Sequence, residues 1–112
     1  MTKKYIMFLE DILKCIDKIE EYTKGMDFEK FRNNQLVIDA VIRNLEVIGE
    51  ASKYVPDEIR ESYPSVPWKS MIGLRNILIH EYFGIDEEIV WEIVSSDLKK
   101  IKPVIEEIIR NS

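Results

Sequence analysis

The stretch "FEKFRNNQLVIDAVIRNLEVIGEASKY", residues 28–54, decides the fold. Its apolar residues recur at helical spacing, with neither two-residue alternation nor a hairpin signal such as Asn-Gly. The spacing predicts one long helix from Phe28 to Tyr54, stopped by Pro56, which has no backbone N–H to continue it. At about 100° per residue, Arg32, Gln35, Asp39, Arg43, Glu46, Glu50 and Lys53 fall in a strip about 80° wide. Leu36, Val37, Ile38, Val41, Ile42, Leu45, Val47, Ile48 and Ala51 occupy most of the remainder. A surface helix of a bundle needs an apolar sector of little more than about 100°, and this one has over twice that. Such a helix is either central in its own bundle or part of a subunit interface. A chain of 112 residues has few other helices to cover it, which favours a two-fold homodimer. The polar strip is either a solvated face laced with ion pairs such as Asp39 with Arg43, or the lining of a cleft.

Working outward, Tyr5, Leu9, Ile12, Ile16 and Ile19 form one stripe of a first helix over about residues 3 to 23, with Gly25 just past its end. "GMDFEK" is the turn into the second helix. "PDEIRESYP" reads as a short helical segment between Pro56 and Pro64. A third major helix starts near Pro67, a favourable first-turn position, and ends near Gly84. The fourth opens on Asp86 as cap, with Glu87 and Glu88 in its first turn, and runs to the C-terminus with a kink around Pro103. The expected fold is all-α: one domain over 1–112, an up-down helical bundle of four to five helices, homodimeric.

Composition narrows the function. Charged residues make up 33% and hydrophobic ones 46%, a globular balance without a membrane-length apolar run. The N-terminal apolar run is only four residues long before Glu10 and Asp11, too short for a signal-peptide core, so a cytoplasmic protein is expected. Cys15, the single cysteine, cannot form an intramolecular disulfide and reads as a small apolar helix residue. A net charge of −5 argues against holding nucleic acid by bulk cationic charge, so any RNA contact must be local. With one histidine, one cysteine and no glycine-rich phosphate loop, no transition-metal site or cofactor is expected.

The chemistry-bearing stretch is "WKSMIGLRNILIHEYFG", residues 68–84. Lys69, Gly73, Asn76 and His80 share one helical stripe. Gly73 costs about 1 kcal/mol of helix stability relative to alanine, so a close backbone approach by another helix or a ligand is expected there. Arg75 stands elsewhere, among Met71, Ile72, Leu78 and Ile79, with Tyr82 in line with it two turns later. A guanidinium on an apolar sector must have a partner. One candidate is a carboxylate on the second helix, Asp39, Glu46 or Glu50; the other is an anionic ligand such as phosphate, which its planar fork fits. His80 alone could be an ordinary helix-terminal histidine and Tyr82 a packing residue. Positions 75 and 80 sit about 140° apart on an ideal helix, so they converge only through the reach of arginine, a distorted helix end or a second subunit.

"RNILIHEYF" resembles the R-x4-H-x-Y motif of HEPN domains, in the branch of short bacterial and archaeal proteins that includes HepT-type toxins paired with minimal nucleotidyltransferase antitoxins. "RNLEVIGEASK" at 43–53, "PWKSMIGLRNILIHEYFGID" at 67–86 and "VWEIVSSDLKKI" at 90–101 extend the resemblance over most of the chain. It implies a homodimeric helical bundle with Arg75 and His80 of both chains in an interface cleft. It also implies metal-independent endoribonuclease activity, and adenylylation of Tyr82 by the partner nucleotidyltransferase. Asn76, Lys69, Gly73 and Arg43 are the expected supporting residues. Two other readings stay open: a non-catalytic HEPN module that binds a nucleotide or scaffolds a nucleotidyltransferase, and a plain four-helix interaction domain.

Overall fold

The computed structural model describes the backbone of residues 3–80 and 86–112 and the side chains of residues 3–74 and 86–112. In chain order the helices are α1 (Tyr5–Thr23), α2 (Phe28–Arg32), α3 (Gln35–Ser52), α4 (Asp57–Ser62), α5 (Trp68–His80) and α6 (Glu87–Glu92), then a π-helical turn over Ile93–Asp97 and α7 (Leu98–Arg110). No strand occurs among the described residues. The expected all-α bundle is what forms, carried by α1, α3, α5 and the α6–α7 arm.

The stripe of α1 is buried at Leu9, Ile12, Ile16 and Ile19, with Cys15 beside them, and Tyr5 is half-buried. Gly25 takes φ 75°, a left-handed conformation that glycine adopts without a Cβ penalty, and it turns the chain toward α2.

The expected single helix from Phe28 to Tyr54 is two helices. The chain leaves helical geometry at Asn33 and Asn34, and the Asn34 side chain accepts a hydrogen bond from the Val37 N–H, capping α3. Asparagine competes for backbone partners in this way, which favours it at a cap over a helix interior. The break lets α2 fold back so that Phe31, fully buried, meets Trp91 of α6 with ring centroids 5.1 Å apart.

α3 is the central helix: it packs on α1 along one side and on α5 along another. Ile38, Val41, Ile42, Leu45, Ile48 and Ala51 are buried, and Val37 and Val47 pack against that core. Burying an isoleucine or valine side chain contributes roughly 1.5–3 kcal/mol, so this helix holds much of the core energy. Its wide apolar sector is thus covered within one chain, apart from Leu36, which is 81% exposed. The polar strip runs along the outside. There Asp39 accepts from the Gln35 amide at 2.8 Å and Lys53 pairs with Glu50 at 3.4 Å, while the Asp39–Arg43 pair offered for a solvated face does not occur among the described residues.

The last arm opens as expected, the Asp86 side chain accepting from the N–H groups of Glu88 and Ile89. The helix continues through Pro103, and the departure from α-geometry comes earlier, where the Leu98 N–H reaches the Ile93 carbonyl in the π-turn. Beyond it Leu98, Ile101, Ile105 and Ile108 face the core. Lys102, on the flank of that face, bonds Asp17 at 2.9 Å and Glu20 at 3.3 Å and ties α7 to α1.

Candidate functional site

α5 is fixed at its start by three bonds. The Met71 N–H bonds the Pro67 carbonyl at 2.9 Å, the Trp68 N–H the Val66 carbonyl at 2.8 Å, and the Trp68 indole N–H the Tyr63 carbonyl at 3.1 Å. Trp68 and Met71 are buried, while Lys69 and Ser70 are exposed. Those four residues orient the helix: the sector of Trp68 and Met71 packs inward and the sector of Lys69 faces solvent.

From that register the positions of the remaining candidates follow at about 100° per residue. Gly73, Asn76 and His80 fall on the solvent-side stripe of Lys69. Position 75 falls on the inward sector, between Trp68 and Met71. The backbone of Arg75, Asn76 and His80 belongs to α5, and their side chains lie outside the described residues. Tyr82 and the expected end of the helix near Gly84 lie outside them altogether.

Of the two approaches expected at Gly73, by a helix or by a ligand, the structure speaks to the first. A Cβ added there meets nothing within 4 Å, so among the described residues no helix approaches it closely. Among the described residues, no packing contact accounts for this mid-helix glycine.

On α3, Arg43 is exposed, and its charge is felt at the Cys15 thiol on α1. Glu46 and Glu50 are half-buried, and Glu50 holds Lys53, so the carboxylates considered for Arg75 include one with a described cationic neighbour.

Beside the stripe runs a groove of about 380 Å³ between α4 and α5, lined by Asp57, Arg60, Glu61, Trp68, Lys69 and Ile72. An end nitrogen of the Arg60 guanidinium bonds Asp57 at 2.7 Å, while its Nε is buried without an acceptor. The sequence reads this segment as a short helix between Pro56 and Pro64, which α4 is, but that reading does not single out Arg60. The available signal was Arg60 one turn after Asp57 on a helix too short to need a surface ion pair. No group of three or more histidine, cysteine or carboxylate side chains able to hold a metal occurs among the described residues. None of the described helices is long and apolar enough to cross a membrane.

The profile of a family described as "Ribonuclease HepT-like" matches residues 12–108. The chain is 54% identical over 107 residues to "Putative RNase MJ1380" of Methanocaldococcus jannaschii, covering 95% of this chain and 98% of that protein. It is 41% identical over 102 residues to "Probable ribonuclease HepT" of Thermococcus cleftensis, covering 91% and 93%. A third relative, "Putative RNase TTE0752" of Caldanaerobacter subterraneus, is 40% identical over 103 residues, covering 92% of each chain. No solved structure matches the chain significantly.

Proposed function

Because the chain belongs to the HepT-like ribonuclease family, we propose that it is an endoribonuclease that cleaves RNA without a metal ion, in a cleft built by two copies of itself. The observation that carries this reading is the solvent side of α5. The exposed Lys69 and the space over Gly73, open among the described residues, share the stripe of position 80, away from the buried Trp68 and Met71. A surface left open by the described residues is available to a substrate or to a second chain.

The chemistry follows from the residue types. In metal-free cleavage the ribose 2′-hydroxyl attacks the adjacent phosphorus and the 5′-oxygen leaves, giving a 2′,3′-cyclic phosphate and a 5′-hydroxyl. One group must take the 2′ proton, another must protonate the leaving oxygen, and the phosphorane charge needs a cation. The sequence holds one histidine, too few for both transfers within one chain. In a two-fold dimer one His80 acts as base and the second copy's as acid, with Arg75 on the phosphate oxygens. Asn76, one turn before His80, orients the imidazole, and Lys69 and Arg43 add positive charge along the strand. The site uses no cofactor. Tyr82 is the point of control: a minimal nucleotidyltransferase antitoxin adenylylates it, placing a phosphate and a base where RNA would enter. The reading places both proteins in the cytoplasm as a toxin–antitoxin pair.

The net charge of −5 favours a second reading, a non-catalytic subunit that binds nucleotide or scaffolds the nucleotidyltransferase. One assay separates them: labelled single-stranded RNA with the purified protein in EDTA. The expected result is internal cleavage leaving a cyclic phosphate, reduced about 10²–10⁴-fold in His80→Ala, as for loss of a general acid–base, and strongly reduced in Arg75→Ala. Strict dependence on magnesium defeats the proposed mechanism, and an inert wild type leaves the scaffold reading.

A further inference from the structure

Of the lining of the groove between α4 and α5, the chemistry above uses only Lys69, and the rest is specific. Lys69 is exposed, with no ion-pair or hydrogen-bond partner among the described residues. Arg60 is held through one end nitrogen by Asp57, an 84%-exposed carboxylate, while its Nε has no acceptor. A buried N–H without a partner is unfavourable, so this guanidinium is under-satisfied where it rests. The edge of Trp68 and the side chain of Ile72 supply an apolar floor. Lys69 begins the stripe that ends at His80, eleven residues on, or about 16 Å along the helix at 1.5 Å per residue. An RNA strand lying along that stripe reaches the groove a few nucleotides from the bond it loses.

We propose that this groove is a second RNA subsite, in which Arg60 and Lys69 bind a phosphate of the strand flanking the scissile bond and Asp57 competes with that phosphate for Arg60. The proposal rests on the ribonuclease reading and adds substrate-binding residues to it. An arriving phosphodiester draws the guanidinium off Asp57, and as it turns into the groove Nε gains the acceptor it lacks. A planar fork of donors suits two phosphate oxygens, and the lysine adds a point charge. Asp57 and Glu61 keep the empty groove near neutral, so binding demands a ligand able to displace a carboxylate.

The test uses the full-length protein and two substrates, a single-stranded oligoribonucleotide and a dinucleoside monophosphate, which has no flanking phosphate. In Arg60→Ala, KM for the oligonucleotide rises about tenfold, as for loss of one charge-assisted bond, with kcat unchanged. The slope of log KM against log salt falls by about 0.7 per contact removed. Cleavage of the dinucleoside monophosphate is unaffected. Asp57→Asn lowers KM for the oligonucleotide, a gain that damaged folding cannot imitate. Wild-type cleavage with unchanged KM and salt slope in both variants overturns the subsite and leaves the ribonuclease reading standing. A wild type that neither cleaves nor binds RNA removes both. Loss of AMP binding in Arg60→Ala, with unchanged RNA cleavage, assigns the groove to a free nucleotide and also overturns the proposal.

Discussion

Lys69 and Gly73 stand one turn apart on the solvent side of α5, the lysine exposed and the glycine under space in which an added Cβ touches none of the described residues within 4 Å. Replacing that glycine with alanine should therefore be favourable inside the protomer. Gly73→Ala is expected to stabilise the fold by about 1 kcal/mol, the helix-propensity difference, in urea unfolding at fixed protein concentration. The same substitution is expected to impair RNA cleavage, because a methyl group occupies space that a ligand or a second chain uses. Sedimentation separates these cases: a variant that falls to monomers assigns the space to the dimer, and one that stays dimeric assigns it to RNA. Unimpaired activity would leave the glycine without a functional reason.

Much of this architecture was legible because local chemistry and global packing agree. Gly25, Asp86 and Pro67 mark their element ends by the backbone states their side chains permit, and α1 and α7 bury the stripes that their periodicity displays. The break at Asn34 was hidden because the apolar pattern runs on from Phe31 into Leu36 as though one helix carried both. Only the bond from the Val37 N–H to the Asn34 side chain shows that a cap has replaced a helical turn. The wide apolar sector of α3 was legible as central or interfacial, and contact with both α1 and α5 resolves it as central. Arg60 escaped notice for a different reason. Its neighbours in the groove, Lys69 and Ile72, belong to another helix, and periodicity within one helix carries no information about such pairs.

The proposed regulation at Tyr82 is expected to be separable from cleavage. The tyrosine follows Arg75 by seven residues in sequence, and its phenol hydroxyl is the only atom that tyrosine has and phenylalanine lacks. Tyr82→Phe is expected to cleave RNA normally and to stay active after incubation with the cognate nucleotidyltransferase and ATP. The wild type gains the mass of AMP and loses activity. Intact-mass spectrometry beside the cleavage assay reads both, and a variant still modified would move the acceptor to another residue.

The link between α7 and α1 makes a modest, salt-sensitive contribution. Lys102 sits 2.9 Å from Asp17 and 3.3 Å from Glu20, and the hydrogen bond to Asp17, more than any other contact, holds its ammonium above the usual lysine range. The lysine side chain is 31% exposed and both carboxylates are more open, so solvent screening keeps the pair to about 1 kcal/mol or less. Lys102→Met is expected to lower the urea midpoint slightly with an unchanged slope. In about 1 M salt, where the Debye length shrinks to about 3 Å, the difference disappears. A loss that persists at high salt would assign the contribution to packing of the lysine stem.

Cys15 should give the protein an alkaline weakness. Its side chain is buried on α1, and burial, more than its neighbours Lys18, Asp11 and Arg43, pushes the thiol above its ordinary range. The folded chain therefore keeps the proton at pH values where the unfolded chain has released it, beginning near the free-thiol pKa of about 8.5. When the native state binds more protons, stability falls as pH rises, by at most about 1.4 kcal/mol per pH unit for one group, until the native thiol itself ionises. Unfolding free energy measured between neutral pH and about pH 10 is expected to decline in the wild type and to flatten in Cys15→Ala, whatever the alanine costs in packing. The same burial predicts a native thiol that reacts with a disulfide reagent only at the rate of unfolding, while denatured protein reacts at once. Rapid labelling of the folded protein, or a pH slope that survives the alanine, would refute this account of the thiol.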